Sequence, residues 1–290
     1  MFISYLFSGI SLGAIYALIA LGYTMVYGIA KMLNFAHGDV IMVGGYIAFT
    51  LSVTLGQSAW IAIIGSIVFC TLLGITIEKI AYKPLRNASK LAVLITAIGV
   101  SYFLQNLALL IFGSNSRNFK SLVSVPVISI GQVTIPGETV VTIAVSVLIV
   151  VGLLLFINKS KSGAAMLAVS EDRAAAELMG INVNRTISLT FAIGSGLAAV
   201  AGILMCSQYP SIGPYTGQMP GIKAFIAAVF GGIGSIPGAM IGGVVIGIIE
   251  NLSKAYISSQ LSDAITFVIL ILTLVIRPTG LFGKKINEKV

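Results

Sequence analysis

Four residues able to do polar chemistry, Lys31, Asn34, His37 and Asp39, fall within nine positions of a chain that otherwise shuns such groups. His37 is the only histidine. An imidazole two residues from a carboxylate and three from an amide can serve acid–base work, bind a polar solute or cap a helix. Catalysis inside a membrane would need further convergent groups on other elements, and the apolar runs elsewhere supply few, so Asn34, His37 and Asp39 do not read as an enzyme site. One histidine, no paired cysteines and no carboxylate cluster leave no metal or cofactor constellation, and no cofactor is expected. Cys70 and Cys206 each lie within an apolar run and read as buried free thiols. No lysine stands in a P-loop context: Lys161 follows serine, and Gly283-Lys284 continues into Lys285. Any ATP must be hydrolysed by another chain.

The elements that must position these groups are membrane helices. The 290 residues are 57% hydrophobic and only 9% charged, with a mean hydropathy of +1.05. A water-soluble fold could not hide that much apolar surface. Nucleic acid is not the expected partner of the +8 charge, because the basic residues sit at the edges of apolar runs and build no basic face. The first apolar run lacks a basic lead-in and is too long for a signal-peptide core, so it reads as a retained helix.

Uncharged windows of the length a bilayer requires predict spans near 5–27, 59–80, 91–112, 138–157 and 186–206, with another near 257–276 that holds Asp263. Two further apolar segments, 31–57 and 221–250, are broken by glycine: GDVIMVGGY in the first, FGGIGSIPGAMIGG in the second. Basic residues concentrate at Lys79, Lys83, Arg86 and Lys90, at Lys159, Lys161, Arg173 and Arg185, and at Arg277, Lys284, Lys285 and Lys289. The positive-inside rule puts all three groups in the cytoplasm. Parity then requires 221–250 to enter and leave on one side. Whether 31–57 crosses, putting the N-terminus outside, or re-enters, putting it inside, is left open by loop charge. Helix, broken glycine-rich segment and helix in each half suggest an internal repeat.

Loops 113–137 and 207–220 fall outside on this map, the first with a β-branched hairpin signal around Gly131. The polar segment 158–185 falls inside. In SEDRAAAELMGINVNR, residues 170 to 185, Ser170 reads as a cap, Glu171 and Asp172 complement the positive helix end, and Gly180 offers a left-handed stop. Such a helix is either an ordinary interfacial element or a docking surface.

Gly234, Gly238 and Gly242, with Gly243 and Gly247, have the spacing of close helix packing, while Gly231, Gly232, Gly234 and Ser235 are also candidates for a path. For residues 31 to 46, Gly38, Gly44 and Gly45 would let the chain turn back in a broken helix. There, either Asp39 and His37 cap a helix starting near Val40, or Asn34 and His37 line a route and bond a passing solute.

AVSEDRAAAELMGIN resembles the coupling segment of ABC importer permeases, in which Glu-Ala-Ala and a following glycine seat in the ATPase subunit. Ala175, Ala176 and Gly180 match that motif, but Ala174 stands where it would have glutamate; Glu171, Asp172 and Glu177 are the nearest acids. Together with LNFAHGD plus GG and GIKAFIAAVFGGIGSIPGAMIGG, it makes nearly the whole chain similar to permeases of high-affinity branched-chain amino acid importers. The resemblance implies an all-α polytopic membrane protein, a single ABC importer transmembrane domain over 1–290 in the bacterial inner membrane. It also implies a soluble binding protein delivering leucine, isoleucine or valine, a second related permease chain in a heterodimer, and two ATPase subunits. The alternative cargo is urea or short amides. A small-solute channel is the further alternative.

Overall fold

A computed structural model describes residues 2–86, 88–123, 125–130 and 133–283. Among them are eleven α-helices: α1 (Phe2–Ala30), α2 (His37–Phe49), α3 (Ala59–Ile77), α4 (Lys90–Phe112), α5 (Gly137–Lys159), α6 (Lys161–Glu171), α7 (Arg173–Leu178), α8 (Val183–Gln208), α9 (Gln218–Gly231), α10 (Ile236–Tyr256) and α11 (Leu261–Ile276). Six of these elements are long and apolar enough to cross a membrane: α1, α3 with its continuation to Leu85, α4, α5, α8 and α10. The chain is a multi-pass membrane protein. Large side chains left exposed on α4, α5 and α11, among them Leu110, Leu148 and Val275, are apolar, as a lipid-facing surface demands.

The sixth span differs from expectation. A full span was expected at 257–276, but α11 has only 16 residues, whereas α10 runs unbroken for 21 inside the segment expected to be irregular. The glycines explain this. Each interior glycine costs a helix about 1 kcal/mol, yet those of α10 are packed on both faces. A Cβ on Gly238 or Gly242 would overlap the carbonyls of Gly231 and Ala227 on α9, and one on Gly243 or Gly247 would overlap Ala17 and Gly13 on α1. Backbones approach where side chains are missing, and the break is confined to residues 232–235.

Contacts fix the course of the chain. α1 and α10 run antiparallel, Gly9 against Ile248 and Gly28 against Gly234. The basic residues Arg86 and Arg173 lie at the end where α1 finishes, since Arg173 donates to the Ala30 carbonyl and Arg86 to Asn184 in the first turn of α8. The α9–α10 turn is at that same end, with Leu281 and Phe282 donating main-chain bonds to Phe230 and Gly231. Segment 218–256 is therefore a helical hairpin that enters and leaves at the opposite end, which agrees with the parity argument. The other open case is decided too. α2 leads away from the end of Arg86 and Arg173 to Phe49, whose ring lies 5.8 Å from the Arg117 guanidinium, so 31–57 crosses and the N-terminus lies at the end opposite Arg86 and Arg173.

Two short strands tie the loops of that opposite end together: Arg117 pairs with Ile212 and Asn118 with Ser211. The hairpin expected in 113–137 is present as Ile128–Ile130 paired with Val133–Ile135. Gly131, like Lys284, Lys285 and Lys289, lies outside the described residues.

An inverted repeat organises the bundle. A long helix (α1), a six-residue irregular return (31–36), a short helix (α2) and a span (α3) are matched by α8, 209–217, α9 and α10, traversed in the opposite sense. The leading helices cross at glycine: a Cβ on Gly22 would sit 3.4 Å from the Gly194 carbonyl, and one on Gly194 would be 3.6 Å from the Gly22 Cα.

Candidate functional site

Both short helices begin away from the ends of the long helices, after irregular backbone, and their N-termini meet. A Cβ on Gly38 would lie 2.8 Å from the Gly217 carbonyl oxygen, and one on Gly221 would lie 2.8 Å from the Gly38 Cα. Polar main chain survives at this depth because protein surrounds it. The first break is set by Lys31, whose φ of 53° turns the chain off the end of α1. That left-handed conformation costs a residue with a Cβ roughly 1–2 kcal/mol.

The sequence candidates fall into three places. Asn34, His37, Gly38 and Asp39 gather at the first break, all buried. Asn34 accepts from the Tyr82 hydroxyl at 2.9 Å. Asp39 accepts from Gln105 of α4 at 2.8 Å. The His37 ring packs edge-on against Tyr23, centroids 4.8 Å apart, and presses on Gly22, where a Cβ would reach 2.5 Å from its Cε1. Its Nε2 has no hydrogen-bond partner.

Neither His37 nor Asp39 caps the helix. α2 begins at His37, its N-cap is Ala36, and no side chain bonds there. Asp39 occupies the first turn instead, where a carboxylate is favoured by the helix dipole. Gly44 and Gly45 do not turn the chain, because both are helical. They seat α2 against Ala199 and against Cys206 and Ile212. The turn is made by residues 31–36, a polar and aromatic stretch in which no glycine announces it.

Gly231, Gly232, Gly234 and Ser235 form a second place, the inner turn of the α9–α10 hairpin. Gly232 and Gly234 have φ of 107° and 95°, and Ser235 caps α10 by accepting from the Gly238 amide at 3.2 Å. Gly280 and Gly283 pack on this turn. It belongs to the basic end and is separate from the first break.

The third place is the polar segment, where one helix was expected and two are present. Ser170 does not cap but closes α6, its hydroxyl donating to Leu167. Asp172 is the cap of α7, accepting from the Ala174 and Ala175 amides at 2.8 and 3.1 Å. Gly180 ends α7 with φ 81°, and the Ile181 amide reaches back to the Ala176 carbonyl. Ala175 is exposed and Ala176 buried; Glu171 and Glu177 are exposed, and Leu178 and Met179 project almost fully.

Sequence reasoning passed over one group. Lys223 of α9 is buried and bonds Glu250 of α10 at 2.7 Å and Asp263 of α11 at 2.6 Å. Glu250 also accepts from Lys254 at 2.5 Å and from the Tyr16 hydroxyl at 2.8 Å. The available signal was charge itself: Lys223, Glu250 and Asp263 sit in segments apolar enough for a membrane, and such residues are costly unless paired.

With this geometry in view, the relatives are informative. Residues 5–274 match the family model described as "Branched-chain amino acid transport system / permease component". The chain is 45% identical to the high-affinity branched-chain amino acid transport system permease protein LivH of Escherichia coli, covering 100% of this chain and 98% of that protein. It is 44% identical, with the same coverage, to the corresponding permease protein BraD of Pseudomonas aeruginosa. Among solved structures, PsaBC from Streptococcus pneumoniae in complex with Fab superposes with a TM-score of 0.52 at 17% identity, covering 95% of this chain and 91% of that one. That likeness concerns the fold alone.

Proposed function

The chain belongs to the branched-chain amino acid transport permease family, and from that premise we propose that it is a permease subunit of an ATP-driven importer of leucine, isoleucine and valine. The observation that carries this reading is the 45% identity to LivH over the full chain. The 290 residues act as one transmembrane unit whose basic end faces the cytoplasm, with 158–185 inside and 113–137 and 207–220 outside. Its partners are a soluble binding protein at the outer loops, two ATPase subunits, and a second related permease chain completing a heterodimer. α7 is the ATPase-docking element, offering Ala175, the Asp172 cap, Glu171, Glu177 and the projecting Leu178 and Met179, with Ala176 and Gly180 setting its shape. The meeting of α2 and α9 is the point at which the bundle rocks. Two short helices joined by glycine backbone can slide against each other with little repacking.

The test is uptake by proteoliposomes holding the purified complex, with labelled leucine, isoleucine and valine against labelled urea and acetamide. Import of the three amino acids that needs both ATP and the binding protein supports the reading. ATP-dependent uptake of urea or acetamide alone moves the chain to the alternative cargo, and ATP-independent flux makes it a channel.

A further inference from the structure

The network around Lys223 is more than a buried scaffold, because three of its charged members, Lys223, Glu250 and Lys254, line a cavity of about 260 Å³ together with Tyr16. Lys223 and Glu250 are almost wholly buried, whereas the Lys254 side chain is 38% exposed and can swing. The rest of the lining includes the apolar side chains of Leu12, Met205 and Met219 beside the polar Tyr209, Ser211 and Thr216. On the same measure a single water needs only about 10–15 Å³, so the cavity has room for a small solute.

Resting on the importer reading, we infer that this cavity is where the permease itself receives its cargo, an aliphatic α-amino acid bound as the zwitterion. Glu250 takes the α-ammonium in place of Lys254, and the released Lys254 ammonium takes the α-carboxylate. One ion pair becomes two, and no charge is left uncompensated, which matters because a lone buried charge is strongly destabilising. Lys223 stays clamped between Glu250 and Asp263 and holds the Glu250 carboxylate in place, as does the Tyr16 hydroxyl. A neutral amide has nothing to exchange. Met205 and Met219 are unbranched and polarisable, so one wall fits the leucine, isoleucine and valine side chains alike.

The experiment uses the assembled complex in proteoliposomes with binding protein loaded with leucine or valine. Lys254→Met should lower uptake of both at least tenfold while ATP hydrolysis stimulated by the loaded binding protein stays within twofold of wild type. Met219→Trp, at a partly exposed position that tolerates the larger ring, should depress leucine uptake more than valine uptake. Wild-type uptake of both amino acids in both variants overturns the site, and so does a parallel loss of stimulated hydrolysis in Lys254→Met, which would make the network structural. A wild-type complex that moves no branched-chain amino acid would instead sink the importer reading.

Discussion

The guanidinium of Arg173, one residue past the α7 cap, donates to the main-chain carbonyl of Ala30, the last residue of α1. Helix-terminal carbonyls lack intrahelical partners and carry the negative end of the dipole, so a cation is well placed there. Burial, and then the neighbouring Arg86, push the Arg173 pKa below its ordinary value. The next residue is Lys31, where the chain leaves the helix toward Asn34 and α2. On this geometry a displacement of α7 would pull on the end of α1, next to the irregular return that leads to α2. Arg173→Ala should leave assembly intact while cutting amino acid uptake at least fivefold per ATP hydrolysed, and Arg173→Lys should recover only part of it. Equal uptake-to-hydrolysis ratios in wild type and Arg173→Ala would dismiss the tether.

Gly180 provides a complementary test at the other end of α7. A side chain there meets nothing of this chain within 4 Å, so a defect that arises within the permease itself comes from its positive φ. Asparagine tolerates that region and a β-branched residue does not. Gly180→Asn should transport near wild-type rates, whereas Gly180→Val should lose transport and transport-linked hydrolysis together. A fully active Gly180→Val would show that α7 does not depend on this stop.

At the crossing of α1, Gly22 gives its space to His37. Gly22→Ala should reduce folded protein in the membrane, since a methyl would collide with the imidazole. Combining it with His37→Ala should restore much of the yield, because the two effects act on one contact and are not additive. Protein levels after detergent extraction read this out. No rescue in the double variant would mean that the ring is placed elsewhere.

Asp39 and Gln105 form a buried pair of a different kind. Asp39→Asn keeps a hydrogen-bonding partner for Gln105 and should be tolerated. Gln105→Leu takes away one of the carboxylate's donors and leaves only Ser101 beside it, at a cost of about 1–3 kcal/mol. Thermal unfolding of the purified complex should therefore rank Gln105→Leu well below both wild type and Asp39→Asn.

Orientation is open to a direct chemical check. Both native cysteines are buried, so a cysteine introduced at Ser121 should react with an impermeant thiol reagent from outside, one at Ser162 only from the cytoplasm, and an N-terminal epitope should be outside. Reaction of Ser162→Cys from outside would invert the assignment.

Composition alone determined that this is a membrane bundle, because an apolar excess of this size has no other solvent, and the spacing of charges marked five of the six long spans. Parity along the chain was legible for the same reason: charges cannot be left in lipid, so their absence measures each crossing. The capped turn at Gly180 was local chemistry and could be read locally. What the sequence could not tell was how glycines would be used. Gly44 and Gly45 read as part of a turn, yet both lie inside α2, where Ala199 and Cys206 of α8 press on the face they leave bare, whereas Gly242 and Gly247 pack against Ala227 and Gly13 as their spacing announced. The break at 31–36 contains no glycine, because the chain leaves α1 at Lys31, which takes a left-handed φ of 53° although it carries a Cβ. Lys223, Glu250 and Asp263, separated by up to 40 positions and each costly alone, became one site only when α9, α10 and α11 packed together.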